Sequence, residues 1–147
     1  MNTRNLLLAS LTGGLISVVL ANTPYVNLIN LFVCVGFWIG PIAAVWLHRR
    51  LGGTLTFGQA VITGLLAGAW HALFGLALSP LGLAGAGGFL NDMRQVLPAQ
   101  DWPDLEFALS GRGGWLFNGI GVTIDLAFGF VGGLIGGAVF GGRRQTA

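Results

Sequence analysis

The chain has 147 residues, of which 54% are hydrophobic and only 8% are charged, and its net charge is +2. Soluble domains carry about 25% charged residues, so this composition excludes an ordinary soluble protein and a disordered chain. A single cysteine excludes a disulfide scaffold, and the arginines do not form the clustered basic face that nucleic-acid binding requires. We therefore expect a small polytopic membrane protein whose partner is the lipid bilayer, with no nucleic acid.

Four apolar stretches predict membrane-spanning helices, because crossing about 30 Å of hydrocarbon takes about 20 residues. The predicted fold class is all-α, a bundle of four transmembrane helices that forms a single domain over residues 1–147. The four stretches cover residues 6–21, 28–47, 57–78 and 114–140.

The first stretch has a second interpretation as a signal peptide. Arg4 is a basic start, residues 6–20 form an apolar core, and Val19-Leu20-Ala21 resembles a cleavage site. We favour a retained first span. The topology of the remaining chain is the same in both cases.

The arginines predict the orientation in the membrane, since cytoplasmic loops are enriched in Lys and Arg. With four spans, one side holds five of the seven arginines, and the other side holds four of the five acidic residues. Both termini are therefore expected in the cytoplasm, with the connection over residues 79–113 outside, in a bacterial inner (plasma) membrane. The five arginines are Arg4, Arg49, Arg50, Arg143 and Arg144.

The short inner turn is expected to lie at the membrane interface. His48 stands beside two arginines, so it is interpreted as an interfacial residue and not as a ligand. Thr56 and Gln59 have the spacing of a capping box, in which each side chain accepts a hydrogen bond from the other residue's amide. This pair predicts the start of the third span.

The outer connection is too long to be simple slack, and its pattern predicts two short interfacial helices. Apolar residues recur at helical spacing from Phe89 to Leu97, which is typical of an amphipathic helix that Pro98 ends. Asp101 is expected to cap a second helix that runs through Ser110 and stops at Gly111. The region is either a docking surface or lid, or an apolar connector that lies on the membrane.

Glycines at four-residue spacing predict close helix packing, because small residues let helix backbones approach each other in lipid. The fourth span carries two such rows, which favours a homo-oligomer or contact with other membrane subunits, although packing within the chain is the alternative. The glycines, which resemble a glycine zipper, are Gly36, Gly40, Gly64, Gly68, Gly129, Gly132, Gly133, Gly136, Gly137 and Gly141.

Asp125 is the most informative residue, because a charge near the bilayer centre is costly and usually functional. It shares the glycine face of its span, and Asn118 precedes it by seven residues on the same side. His71 is the expected partner, at a depth that differs by about one helical turn. The pair is interpreted either as a structural polar clamp or as a proton-linked or cation-linked site.

Motifs for soluble enzyme chemistry are missing from the sequence, which has no phosphate-binding loop, dinucleotide fingerprint or nucleophile elbow. No Cys/His spacing indicates a metal site, and Cys34 is interpreted as a small buried hydrophobic residue. We expect no catalytic residues, no metal and no cofactor, and the protein is predicted not to be an enzyme. Trp38 and Trp70 lie deep in their spans and either fill the bundle or shape a pocket for a lipid-like ligand.

One region resembles a known group of proteins. Trp38-Ile39-Gly40-Pro41, then His48-Arg49-Arg50 and Phe57-Gly58-Gln59-Ala60, are similar to small uncharacterised bacterial membrane proteins. In these proteins a Phe-Gly-Gln-Ala motif opens the third helix. The resemblance covers residues 36–78 and implies a four-helix integral membrane protein, without an activity.

Three functions follow as hypotheses. The first is a structural or accessory membrane protein that packs through glycine faces into a homo-oligomer or a larger membrane complex. The second is a small proton-linked or cation-linked transporter or channel that uses Asp125 and His71. The third is a binder of a lipid-like ligand between helices.

Overall fold

The computed structural model describes residues 2–22, 35–52, 55–81 and 85–141, and this part of the chain is helical with no strand. Within these residues six α-helices follow one another, and short 3-10 turns at Ser79–Leu81 and Ala99–Asp101 lie between some of them. The helices are α1 (Thr3–Ala21), α2 (Val35–Gly52), α3 (Phe57–Leu78), α4 (Gly85–Val96), α5 (Trp102–Leu109) and α6 (Gly111–Phe140).

Three helical segments are long and apolar enough to cross a membrane, namely α1, α3 with the turn that follows it, and α6. They correspond to the first, third and fourth predicted spans. The second predicted span overlaps α2, but its first part, residues 28–34 with Cys34, lies outside the described residues. The last two arginines, Arg143 and Arg144, also lie outside them.

The four long helices form an antiparallel bundle. α1 packs against α2 and α3 on one side, and α6 packs against the same two helices on the other side. Asn5 of α1 donates a hydrogen bond to the carbonyl of Leu51 in α2, at 2.9 Å. Arg49 of α2 donates one to the carbonyl of Phe140 in α6, at 2.6 Å. The start of α1 and the ends of α2 and α6 therefore lie at the same end of the bundle.

The structure corrects several predicted boundaries. α1 begins at Thr3 and α6 begins at Gly111, each three residues before the predicted span. The second short helix ends at Leu109 with Ser110 as its C-cap, so it stops before Gly111 as predicted. Gly111 has the left-handed φ of +51° that is typical of a helix stop, and it is also the first residue of α6. The predicted cap from Asp101 is wrong, since its side chain makes no capping hydrogen bond. Asp101 ends a 3-10 turn in αR geometry, whereas a capping residue is usually extended.

The two glycine rows of α6 face two different helices of the same chain. Gly133 lies against α3, where an added Cβ would come within 2.9 Å of the Cα of Val61. Gly136 lies against α2, where an added Cβ would come within 2.8 Å of the Cβ of Val45. Gly129 and Gly137 share the first contact and Gly132 shares the second. Both rows are therefore used inside the bundle.

The other predicted glycines have different surroundings. Gly64 and Gly68 of α3 receive α6 so closely that a Cβ at Gly64 would lie 2.5 Å from the Cα of Gly133. Gly40 of α2 lies against α1, and Gly141 ends α6 and meets only its own last turn. Gly36 lies in the first turn of α2. Helix contact through glycine backbones thus involves α1, α2, α3 and α6.

Candidate functional site

His71 and Asp125 form a hydrogen-bonded pair inside the bundle. Nδ1 of His71 on α3 lies 2.9 Å from Oδ1 of Asp125 on α6, and each residue is only 8% exposed. The pair is possible because Gly68 and Gly129, beside it on the two helices, bring the backbones together. The difference in depth of about one turn that the sequence suggests is closed by the side chains.

Aromatic rings and backbone surround the pair. Phe37 of α2 meets the His71 ring edge to face, with centroids 5.3 Å apart, and also packs against Phe128 of α6 at 5.6 Å. On the α1 side, a Cβ added to Gly14 would lie 3.2 Å from the backbone nitrogen of His71. All four long helices therefore contribute to an apolar enclosure around one imidazole and one carboxyl group.

The chemistry available to this pair is that of a single shared proton. One hydrogen lies between Nδ1 and Oδ1, and either atom can carry it. Because each group is the other's described polar partner in an apolar enclosure, the pair links α3 to α6 as a polar clamp. The same proton is what a transport mechanism would have to move.

Asn118 occupies a different place from the pair. It lies two turns before Asp125 on α6, which is about 10 Å along the axis. There it is half-buried and lines a crevice of about 520 Å³ between the end of α3, the short helices and the start of α6. Glu106 lines the same crevice and forms an ion pair with Arg94, which joins α5 to α4.

A second buried histidine, His48, was not anticipated as a core residue. It is 5% exposed, and its Nδ1 lies 2.7 Å from Oγ1 of Thr63 on α3. The Thr63 hydroxyl donates its one hydrogen to the carbonyl of Gln59, at 2.7 Å, so His48 must be the donor in its bond to Thr63. Burial lowers the pKa of His48 from its ordinary value of 6.5.

The signal that could have located His48 is its helical spacing. It follows Pro41, Ala44 and Val45 at intervals of three or four residues, and all three are buried. Its two arginine neighbours suggested an interfacial position instead. Arg49 and Arg50 are indeed exposed, but they point to other faces of α2.

α1 supplies two buried serines that the sequence analysis also missed. Ser10 donates a hydrogen bond to the carbonyl of Leu7, at 3.1 Å, whereas the buried hydroxyl of Ser17 has no hydrogen-bond partner among the described residues. With Gly13 and Gly14 they form a stripe of small residues at positions i, i+3, i+4 and i+7, which is the pattern of a helix contact in lipid.

The predicted capping box is present at the start of α3. The Thr56 amide donates to Oε1 of Gln59 at 3.0 Å, and the Gln59 amide donates to Oγ1 of Thr56 at 3.3 Å. This start lies at the same end of the bundle as Arg49. Arg50 stacks over Trp46 at 5.3 Å from the ring centroid.

Glycine contacts separate the two buried histidines. His48 pairs with Thr63 and His71 pairs with Asp125, and Thr63 and His71 are about 12 Å apart along α3. Between these levels α3 and α6 touch backbone to backbone, at Gly64 and Gly129. The two polar pairs are therefore separate sites.

Trp38 and Trp70 both have neighbours within the bundle, and the pocket for a lipid-like ligand between them stays a prediction. Trp70 stacks on Phe74 of its own helix, with centroids 6.1 Å apart, and the carbonyl of Trp38 lies against Gly132. In the described parts of the chain, no group of three His, Cys, Asp or Glu residues could hold a metal ion.

The described residues define the class of the protein as all-helical, with three helices able to cross a membrane and a buried His–Asp pair at the bundle centre. No family model, curated protein or solved structure matches the chain. The resemblance to small bacterial membrane proteins therefore stays a prediction.

Proposed function

We propose that this protein is a structural or accessory integral membrane protein that works as a rigid subunit beside a second copy or other membrane subunits. The observation that carries this proposal is the glycine packing. Each long helix meets a neighbour at a glycine contact, and at Gly64 and Gly133 the backbones touch. Packing this close produces an inflexible bundle with an apolar exterior, which suits a scaffold.

Association would use the exterior of the bundle. The glycine rows of α6 are occupied by α2 and α3, so they support the fold of the subunit. Large apolar side chains remain exposed elsewhere, among them Phe107 on α5 and Val139 on α6. These surfaces are available to lipid and to neighbouring subunits.

We also propose four spans, the second of which covers residues 28–47 and therefore includes most of α2. α2 runs antiparallel to α1, and its Arg49 and Arg50 lie at the end where α1 begins and α6 ends. That end fits the cytoplasmic side, where basic residues are enriched. On this placement both termini are cytoplasmic, and α4 and α5 lie at the opposite interface of a bacterial inner membrane.

Native mass spectrometry of the protein gently extracted from its own membrane tests the accessory role. We expect a stoichiometric complex with a second copy or with a foreign subunit. A monomer that carries no partner at any extraction strength would contradict the proposal.

Proton-linked or cation-linked transport is the second candidate, and the His71–Asp125 pair is the observation that favours it. A histidine and a carboxyl group 2.9 Å apart inside a bundle can exchange a proton. Under this hypothesis, proteoliposomes show proton or cation flux that Asp125→Asn abolishes while assembly is unchanged. Wild-type flux equal to that of empty liposomes would exclude it and leave the clamp role.

A further inference from the structure

The first third of α6 carries an exposed groove that the bundle does not use. It has a volume of about 630 Å³ and runs along one face of the helix, because its residues form two adjacent rows with four-residue spacing, one that starts at Arg112 and one that starts at Trp115. Trp115 is 78% exposed and Leu116 is 69% exposed. The lining residues are Arg112, Trp115, Leu116, Gly119, Ile120 and Thr123.

The shape of the groove comes from its two small residues. A Cβ added to Gly119 would meet nothing within 4 Å, so the missing side chain leaves an open notch between larger neighbours. The Thr123 hydroxyl donates to the Gly119 carbonyl of its own helix, at 2.9 Å. Its polar atom is therefore satisfied, and below Arg112 the groove is apolar.

Arg112 gives the groove a charge at one end. It is exposed, and it forms no ion pair with any acidic residue within residues 2–22, 35–52, 55–81 and 85–141. The other arginine at this end, Arg94, is already paired with Glu106. A single cation above an apolar channel complements a molecule with an anionic head and an apolar tail.

The position along α6 matches the depth of a membrane leaflet. α6 has 30 residues, about 45 Å, and therefore extends beyond about 30 Å of hydrocarbon. Arg112 lies in its first turn, at headgroup level, beside Trp115, a residue type enriched at that level. From Arg112 to Thr123 is about 16 Å along the axis, close to the depth of one hydrocarbon leaflet.

We propose that this groove binds an anionic phospholipid, with Arg112 on the phosphate and one acyl chain along the notch at Gly119. Arg binds phosphate through several hydrogen bonds in a planar fork. The chain replaces the side chain that Gly119 lacks. The proposal rests on the membrane placement proposed above.

Lipid titration of the full-length protein in detergent, followed by native mass spectrometry, tests this proposal. The probes are phosphatidylglycerol and phosphatidylcholine with identical palmitoyl and oleoyl chains. We expect wild-type protein to retain phosphatidylglycerol preferentially, and Arg112→Gln to reduce that preference about five-fold, the factor that corresponds to about 1 kcal/mol for an exposed ion pair. Added salt should weaken the preference of the wild type.

Gly119→Leu fills the notch and should reduce retention of both lipids. Gly121→Leu is its matched control, because Gly121 is equally open but does not line the groove. Unchanged lipid preference in Arg112→Gln, or equal behaviour of the two glycine variants, would overturn the proposal. Carbonate washing of membranes separates the lipid proposal from the proposed membrane placement. A protein that stays in the membrane pellet but shows no lipid preference overturns the lipid site alone. A protein that the wash releases overturns the membrane placement.

Discussion

At the scale of single residues, Asp125 and His71 stabilise each other, because each is the other's described hydrogen-bond partner in an apolar enclosure. We predict that Asp125→Ala destabilises the protein by about 1–3 kcal/mol, the cost of leaving a buried polar group unsatisfied. Asp125→Asn keeps an acceptor oxygen for Nδ1 and should cost less than about 0.6 kcal/mol, the average contribution of a hydrogen bond between membrane helices. Chemical unfolding of the purified protein in detergent measures both values.

Thr123→Val is the control for these variants. The Thr123 hydroxyl donates to the Gly119 carbonyl of its own helix and Thr123 is exposed, so loss of the hydroxyl should change stability little. If Asp125→Asn proves as destabilising as Asp125→Ala, an amide oxygen cannot replace the carboxyl oxygen as partner of Nδ1, and the account of the pair as a simple hydrogen-bonded clamp is wrong.

His48 gives the fold a pH dependence whose sign follows from its burial. Its pKa is lowered in the folded protein, so below about pH 6.5 the unfolded chain binds more protons than the folded one. The stabilising contribution is complete above pH 6.5 and is lost as the pH falls towards the lower, folded pKa. We predict that His48→Gln makes stability less dependent on pH between about 5 and 7.

The measurement is the free energy of unfolding of both proteins across that pH range. His71 is present in wild type and variant alike, so the difference between their pH profiles belongs to His48. Parallel profiles would show that His48 titrates equally in the folded and unfolded states.

The residues of the polar pair could be predicted, whereas His48 could not be placed correctly. Asp125 stands alone in a long apolar stretch, so its cost in lipid identifies it, and depth along the helices leads to His71. His48 follows an apolar face but precedes two arginines. The apolar face predicts a buried His48, whereas the arginines predict an exposed one. The sequence alone does not decide between the two, because the burial of His48 depends on Thr63, which lies across the bundle.

At the scale of helices, the close packing of α6 against α2 and α3 depends on two rows of glycines, which have no side chains. We predict that Gly133→Ala destabilises the bundle by about 1–3 kcal/mol, because its Cβ would lie 2.9 Å from the Cα of Val61, which is backbone and cannot turn aside. Gly121→Ala, at an open position on the same helix, should instead stabilise by about 0.5–1 kcal/mol through helix propensity. Unfolding in detergent compares the two variants.

Opposite signs for these two alanine variants are the diagnostic result, since both add the same methyl group to the same helix. If Gly133→Ala is neutral, α3 and α6 are not in backbone contact at this level. Loss of a complex without loss of subunit stability would instead place Gly133 at an interface between chains.

The glycine spacing predicted close packing but not its partners. Rows at four-residue intervals look the same whether they face a helix of the chain or another copy. In the structure, one row of α6 faces α3 and the other faces α2. The first row is Gly129, Gly133 and Gly137, and the second is Gly132 and Gly136. Two rows on one helix indicate two neighbours, and a four-helix bundle supplies both from within.

At the scale of the whole molecule, the two ends of the bundle differ. At one end, polar side chains hold helix termini, as Arg49 does for the carbonyl of Phe140 and Asn5 for that of Leu51. At the other end, residues 91–96 of α4 and most described residues of α5 are exposed or half-buried, and the two helices enclose a crevice with the start of α6. The end held by these contacts is also the basic end, so Arg49 both closes the bundle and belongs to the arginines that mark the cytoplasmic side in the proposed placement.

This arrangement gives a sharp prediction about topology. The start of α1 and the start of α3 share the basic end, so Thr3 and Gly58 should face the same side of the membrane, and Gln100 in the outer connection should face the other. Single cysteines at these positions, in a Cys34→Ser background that removes the one natural cysteine, can be labelled with a membrane-impermeant maleimide. In intact cells we expect labelling of Gln100→Cys alone, and in inverted vesicles labelling of Thr3→Cys and Gly58→Cys. Labelling of Thr3→Cys and Gly58→Cys from opposite sides would mean that the segment between α1 and α3 does not cross the bilayer, and the four-span proposal would fail even though the three apolar helices remain.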